Sequence, residues 1–573
     1  MPTIEIDGKT CEFESGQTIL QIANANGLKI PQYCYHDGLS IVASCRICLA
    51  EVWAPNPRND GKLEPIPKLL PTCQTPAGDG QVVYTDSPKA IANQKAVMEY
   101  LLINHPLDCP VCDQAGECFL QDYSYEYGRG VSRFEEAKVK QPKKNLGPHV
   151  YLYADRCIMC SRCVRFTREV TGTSELIVQG RGNQEQIDVF PGLALDNELS
   201  ANVIDLCPVG ALLDKDFLFA QRVWFLKSTP SIDGITSGGD NLYVEHNQGE
   251  VFRVRPRENA EVNKWWISDE IRYGWKFVHS EDRLSEAVVE THGRRVRRDF
   301  ATAYRAIVEG LRGKRILLMV SPMLPSEEAY LLARAARALG GEATLAVGPI
   351  PREGEDKAFP GGYTVRAEKA PNARGVRRVL EAFGGEALDY AAALERLKSG
   401  AVDGAILTGG YPSEWVTEEL ASACASRFTA LIDILPNRLT EVADVTLPGA
   451  TWMEKAGVFE NVDGKLQAFE QAIPVLAGAQ SEGQIAMDLL SIVEGASVGE
   501  TRPDASMVVV DEQPGQVPGS TSVVAPRATL RFNAANVRRE MAGEFAGLSA
   551  FETEVSYPSV GARQEPDMEM VEL

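Results

Sequence analysis

Twelve of the thirteen cysteines of this 573-residue chain lie between positions 11 and 207, and most fall into closely spaced sets. That distribution constrains the fold more than any other feature. A disulfide scaffold of such density belongs to small secreted domains. This chain is long enough for roughly three to five domains. Its start, Thr3-Ile4-Glu5-Ile6, reads as a strand, with neither a secretory signal nor an Arg-rich transit pattern. Metal-bound thiolates are therefore the expectation, in a soluble cytoplasmic chain that meets a membrane only through partners.

The first set is Cys34, Cys45, Cys48 and Cys73, spaced C-x10-C-x2-C-x24-C. A C-x2-C pair puts two sulfurs on one loop turn, where both reach one metal centre. Plant-type 2Fe–2S ferredoxins use a similar plan with a distant closing cysteine. Four thiolates also suit a structural zinc, which stays open as the rival. The second set is His105, Cys109, Cys112 and Cys118, spaced H-x3-C-x2-C-x5-C. A lone histidine is more often a packing residue, but here it precedes a cysteine triplet that lacks a fourth donor. Neutral imidazole in place of thiolate makes an iron centre less negative and raises its potential. A Cys3His zinc site is the rival.

The third set is Cys157, Cys160, Cys163 and Cys207, spaced C-x2-C-x2-C-x43-C and followed by Pro208. Three cysteines this close suit a cubane, whose adjacent irons each take one. In two-cluster bacterial ferredoxins a fourth cysteine follows after three intervening residues and serves the other cluster. That place is Thr167 here, so the run predicts a single 4Fe–4S cluster. Cys11 and Cys424 read as buried small apolar residues. Electron transfer is the chemistry such sets imply, and it needs no acid–base constellation. The stretch holds no Gly-rich dinucleotide fingerprint, so donor and acceptor are expected on other chains. A net charge of −21 argues against nucleic-acid binding.

Residues 1–27 predict strand, Asp7-Gly8 turn, strand and helix, with Thr18 and Gln21 as a capping box and Gly27 beyond the helix end. Residues 88–104 predict a helix and 139–148 a linker. Short strands are expected at Leu242–Glu245 and Val251–Val254. Helix–strand alternation over 280–492 predicts an α/β domain with a parallel sheet, including strands at Ile316–Val320, Ala405–Leu407 and Leu431–Ile434 and a helix capped by Ser326. Residues 497–527 read as a flexible linker, and 534–546 as a helix. Arg294–Arg298 reads as a solvated basic face, with a contact to another chain as the rival.

The segments Tyr33–Cys48, His105–Cys118 and Asp155–Phe166 resemble, in order and kind, those of the large iron–sulfur subunit of bacterial respiratory NADH:quinone oxidoreductase, complex I. The resemblance covers roughly residues 1–490 and implies a multidomain fold of mixed α+β and α/β type. Its parts would be a 2Fe–2S ferredoxin-like (β-grasp) domain over 1–82, a histidine-ligated 4Fe–4S domain over 83–140 and an all-cysteine 4Fe–4S ferredoxin-like domain over 141–218. A degenerate cluster domain over 219–275, a degenerate molybdopterin-oxidoreductase-like α/β scaffold over 276–495, and a linker and tail over 496–573 would follow.

It implies one 2Fe–2S and two 4Fe–4S clusters held by the three sets, with no molybdopterin. Electrons would pass from an FMN- and NADH-binding subunit, through this chain, to downstream iron–sulfur subunits and quinone. The complex would lie on the cytoplasmic side of the inner membrane. Some family members hold a fourth cluster spaced C-x2-C-x3-C-x27-C. The corresponding positions here are Asp233, Thr236, Asp240 and Ser268, hard oxygen donors that do not suit it. No fourth cluster is expected. Residues 371–375 and 461–467 carry the molybdopterin-oxidoreductase likeness. NAD-linked hydrogenase and formate dehydrogenase subunits share the N-terminal plan and are the alternative.

Overall fold

The structure, a computed structural model, describes residues 1–494 and 531–558. It divides into two units, one of residues 1–226 with 358–363 and the other of the remainder.

The first unit opens with β1 (Thr3–Ile6) and β2 (Lys9–Glu12). They are joined at Asp7 (φ 48°) and Gly8 (φ 82°), where left-handed backbone at both turn residues matches the twist of a two-residue hairpin. Helix α1 (Ile19–Ala25) starts on the Thr18/Gln21 capping box, and Gly27 (φ 69°) follows its end in the left-handed region. Then come β3 (Leu49–Asn56), β4 (Lys62–Pro65), β5 (Leu70–Pro71) and β6 (Gln81–Tyr84). The sheet order is β2-β1-β6-β3-β4, with β5 beside β3 and β1 parallel to β6. Ile4, Ile6, Ile19, Leu20, Val52 and Val83 form its core and are all but inaccessible to solvent. Each such side chain contributes roughly 2 kcal/mol by leaving water. This is the ferredoxin-like arrangement, and its α1–β3 loop carries Cys34, Cys45 and Cys48.

A helix over Pro88–Leu102, capped by Ser87, leads to the second cysteine set. The expected linker at 139–148 is in part a strand. Lys143–Asn145 pairs with Val150–Tyr153, which pairs in turn with Leu212–Asp214. Val150 and Leu152 are fully buried and anchor that ladder. Gly147 turns the chain where a Cβ would meet the Leu195 carbonyl at 2.1 Å, so the Gly-Pro pair is a tight corner and not slack.

In the second unit, Lys227–Ile232, Asn241–Asn247 and Glu250–Pro256 form an antiparallel sheet. A seven-stranded sheet runs, edge to edge, Arg294–Arg298, Ala287–Thr291, Val445–Pro448, Phe428–Asp433, Gly404–Thr408, Arg315–Val320 and Glu342–Val347. The last five are parallel, as the alternation predicts. Arg294–Arg298 is its exposed edge strand, where charge discourages edge-to-edge pairing. Ser326 does not cap its helix. Pro325 holds the N-cap position of Ser326–Leu339, and Ser326 is buried, its hydroxyl hydrogen-bonded with Asn372. A helix occupies Ala534–Glu544, and the predicted linker 497–527 lies outside the described residues. Among the described residues no helix is long and apolar enough to cross a membrane.

Candidate metal centres

The first set is assembled as two pairs. The Cys45 thiol hydrogen-bonds to Cys34, and Cys73 to Cys48, while weaker electrostatic contacts tie the pairs together. Each acceptor, Cys34 and Cys48, is held below the usual thiol range by the bond it receives. The fold makes this possible because Thr72, just before Cys73, donates its hydroxyl to the Cys48 carbonyl at 3.0 Å, fixing the distant cysteine against the loop. Two sulfurs on each of two irons is the partition a 2Fe–2S core needs, so the residues fit that group. Among the described residues no three His, Cys, Asp or Glu side chains close on one point as a single ion would require.

In the third set, Cys157, Cys160, Cys163 and Cys207 line one largely apolar cavity together with Leu152, Ile158, Ile187, Val209, Ala211 and Leu212, with Ser161 and Arg162 at its wall. The left-handed Met159 (φ 52°) and Ser161 (φ 58°) curl the C-x2-C-x2-C run so that its sulfurs face inward. Cys163 stands in the first turn of the helix Arg162–Glu169, and Cys207 ends the helix Asn202–Leu206. Burial pushes these thiols up, Cys160 to about 11. Their thiolates therefore form only with a compensating cation. Four sulfurs around an apolar hollow fit a 4Fe–4S core.

The second set is looser. Cys109 begins the 3-10 turn Cys109–Val111 and is exposed, whereas Cys112 and Cys118 are buried. Cys112 is in electrostatic contact with Cys109 and Cys118. His105 and this group share one charged neighbour, Arg156, whose charge acts on both His105 and Cys112. Burial, with Arg156 and Lys138, lowers His105 to about 4, so its imidazole is neutral at pH 7, the form that binds metal. Cys11 and Cys424 are buried in apolar cores, as expected; Cys11 shares its core with Cys48 and Cys73 of the first set, whereas Cys424 lies in a core without any set cysteine.

The sets adjoin one another. Tyr33 is fully buried, donates to Met98 Sδ at 3.2 Å, and faces both Cys45 and Cys118. Cys118 also interacts with Cys207. Three buried arginines lie among the sets: Arg156, Arg162 and Arg165. Arg156 forms an ion pair with Asp108 at 2.9 Å and donates to the Gly210 carbonyl. Reading by residue type missed these arginines, because an arginine in sequence reads as solvated. The one available signal was their interleaving with cysteines in Asp155–Phe166.

At the positions that correspond to a fourth cluster, Asp233 accepts from the Ile235 and Thr236 amides and the Thr236 hydroxyl. Ser268 caps the helix Asp269–Tyr273.

Five known domain families match the chain in sequence. They are a 2Fe-2S iron-sulfur cluster binding domain (1–88), the NADH-ubiquinone oxidoreductase-G iron-sulfur binding region (94–133) and the NADH-quinone oxidoreductase subunit 3 ferredoxin-like domain (147–213). The NADH-ubiquinone oxidoreductase NDSU1/NuoG-like 4Fe-4S domain (226–276) and molybdopterin oxidoreductase (386–491) follow. The G-type subunit of NADH-quinone oxidoreductase from Rickettsia bellii is 36% identical over 58% of this chain and 47% of its own length. The 75 kDa subunit of NADH-ubiquinone oxidoreductase from Reclinomonas americana is 38% identical over 59% and 48%. The mitochondrial 78 kDa subunit of Neurospora crassa is 44% identical over 51% and 38%. A chain of a NAD+-reducing [NiFe]-hydrogenase in the H2-reduced state is 29% identical over 39% of this chain and 91% of its own, at a TM-score of 0.33, too low to bear on the fold. The chain spans about half the length or less of the curated relatives it matches. Over the stretch it shares with those relatives, the chain is similar to the G-type and 75 kDa iron–sulfur subunits of NADH-quinone oxidoreductases.

Proposed function

We propose that this chain relays electrons within a NADH:quinone oxidoreductase. It would receive them from an FMN- and NADH-binding subunit and pass them to downstream iron–sulfur subunits on the way to quinone, on the cytoplasmic face of a bacterial inner membrane. Cys34, Cys45, Cys48 and Cys73 would hold a 2Fe–2S core. His105, Cys109, Cys112 and Cys118 would hold one 4Fe–4S core, and Cys157, Cys160, Cys163 and Cys207 another. When bound, such cores supply one-electron acceptance and release. The chain's own residues orient the ligands, exclude water and hold positive charge beside them.

The observation that carries this reading is the convergence of Cys157, Cys160, Cys163 and Cys207 on one apolar cavity beside the other two sets. The sets map onto the proposed segments 1–82, 83–140 and 141–218. Asp233, Thr236, Asp240 and Ser268 are proposed to hold no cluster, since Asp233 and Ser268 are committed to local hydrogen bonds.

The α/β part is proposed as a scaffold without molybdopterin. In open α/β sheets ligands enter the crevice at the switch in strand order, outside the carboxyl ends of the strands. Here that switch separates Arg315–Val320 from Gly404–Thr408. The Ser321 amide donates to the Thr408 hydroxyl at 2.8 Å across it. Nearby, the Asp433 carboxylate accepts from the Gly410 amide, the Trp415 indole and the Asn437 amide. These bonds commit the polar groups beside the crevice to one another, which supports a scaffold role.

Replacement of Cys163 by Ser in the assembled complex tests the proposal. NADH:quinone turnover and the all-cysteine 4Fe–4S signal should vanish together while the 2Fe–2S signal persists. Undiminished turnover would refute the relay.

A further inference from the structure

Arg162 and Arg165 are each 6% exposed, and neither has a carboxylate partner among the described residues. A buried guanidinium without an anion is strongly disfavoured. Arg156, by contrast, has Asp108. Around the two guanidiniums lie backbone oxygens, cysteines, the Ser161 hydroxyl that accepts from Arg165 Nε at 3.4 Å, the His36 imidazole and the Phe119 ring, with no ion-paired carboxylate among the described residues. Arg162 donates to the carbonyls of Tyr35 and Leu206. Its charge faces Cys160, Cys207 and Cys34, and its Nε has no partner. Arg165 donates to the carbonyls of Ser40, of Cys34 and, at 3.4 Å, of Cys160. One nitrogen, Nη2, thus joins a cysteine of the first set to a cysteine of the third across 131 and 5 residues of chain respectively.

Resting on the relay reading, we propose that Arg162 and Arg165 are the built-in counterions of the first and third cysteine sets, and that Arg165 couples the two electrostatically. Thiolate-bound iron cores are anions, and each gains one further negative charge with the electron it accepts. A fixed cation close to both favours the reduced state of both. Arginine is suited to this role, because its guanidinium stays protonated even when desolvated and its planar fork can hold several carbonyls at once. Both residues are therefore positioning and tuning residues and not ligands.

The test is a redox titration of the assembled complex by low-temperature EPR, with iron analysis alongside. Arg165→Gln should lower the midpoint potentials of both centres, each by about 59 mV, the shift of a tenfold change in a one-electron equilibrium. Arg165→Lys keeps the charge and should leave both close to their original values. A shift in only one centre, a shift in neither, or an equal shift in the Lys variant would overturn the proposal. If Arg165→Gln loses its iron, the Lys variant decides. Retention of both centres at unshifted potentials supports the counterion role, and loss of iron in both variants overturns it. Absence of any EPR signal from the unmodified complex would instead overturn the relay reading, so the two failures are distinguishable.

Discussion

Gly210 offers a sharp perturbation of the second set. It follows Val209 in the turn after Cys207-Pro208, and a Cβ there would lie 2.2 Å from Cys112 Sγ and 3.0 Å from Gln114 Cβ. Ordinary contact between such atoms is about 3.5–4 Å. In Gly210→Ala the sulfur must therefore retreat by roughly 1.5 Å. Metal–ligand distances tolerate about 0.2 Å, so a displacement of that size removes Cys112 from any metal it would bind. Overpacking of this kind costs about 1–3 kcal/mol, which leaves the fold largely intact. The φ of Gly210 is not positive, so the backbone itself accepts alanine. The assay is iron content and low-temperature EPR of the purified variant, with Gly130→Ala as control because nothing lies within 4 Å of its Cβ position. The second-set signal should be lost or altered while the 2Fe–2S signal remains. Full iron and unchanged signals in Gly210→Ala would refute the assignment of Cys112 as a ligand.

His105→Cys should retain an iron centre while moving its potential downward, because thiolate adds negative charge where neutral imidazole stood; an unchanged potential in redox titration would exclude His105 as a ligand. Cys424→Ser should leave iron content intact and cost about 1–3 kcal/mol in denaturation, since a hydroxyl enters a fully buried site; loss of iron would show that residue misjudged. Burial pushes the Asp488 carboxyl up to about 6 from 3.8. The folded state thus binds that proton more tightly than the unfolded one, and its contribution to stability is lost as pH rises from about 4 through 6. Asp488→Asn should accordingly gain stability relative to the unmodified chain over that interval. A constant difference in denaturation midpoint between pH 4 and pH 7 would contradict the assignment.

Local chemistry was legible where one residue type has one strong role. The Asp7-Gly8 turn, the Thr18/Gln21 box and the C-x2-C-x2-C run all specify their geometry within a few positions. Ser326 was misread because a serine before a helix usually caps it; here burial and Asn372 claim the hydroxyl instead. The strand at Lys143–Asn145 was hidden by a composition typical of linkers, and long-range pairing to Val150–Tyr153 overrode it. The buried arginines were illegible for a similar reason. Nothing in the local pattern of Ser161-Arg162-Cys163-Val164-Arg165 says that the loop after Cys34 will cover it. How closely the three sets adjoin is likewise a tertiary property. It depends on one apolar cluster, built around Tyr33 and Cys118, against which Cys45, Cys157, Cys160 and Cys207 pack.

The central claim is that the three sets hold redox-active iron and not structural metal. Metal and acid-labile sulfide analysis of the purified complex, paired with low-temperature EPR after dithionite reduction, tests it directly. The account predicts one 2Fe–2S and two 4Fe–4S signals attributable to this chain, each removed by replacing cysteines of its own set. Stoichiometric zinc, with no paramagnetic signal that depends on these cysteines, would contradict it.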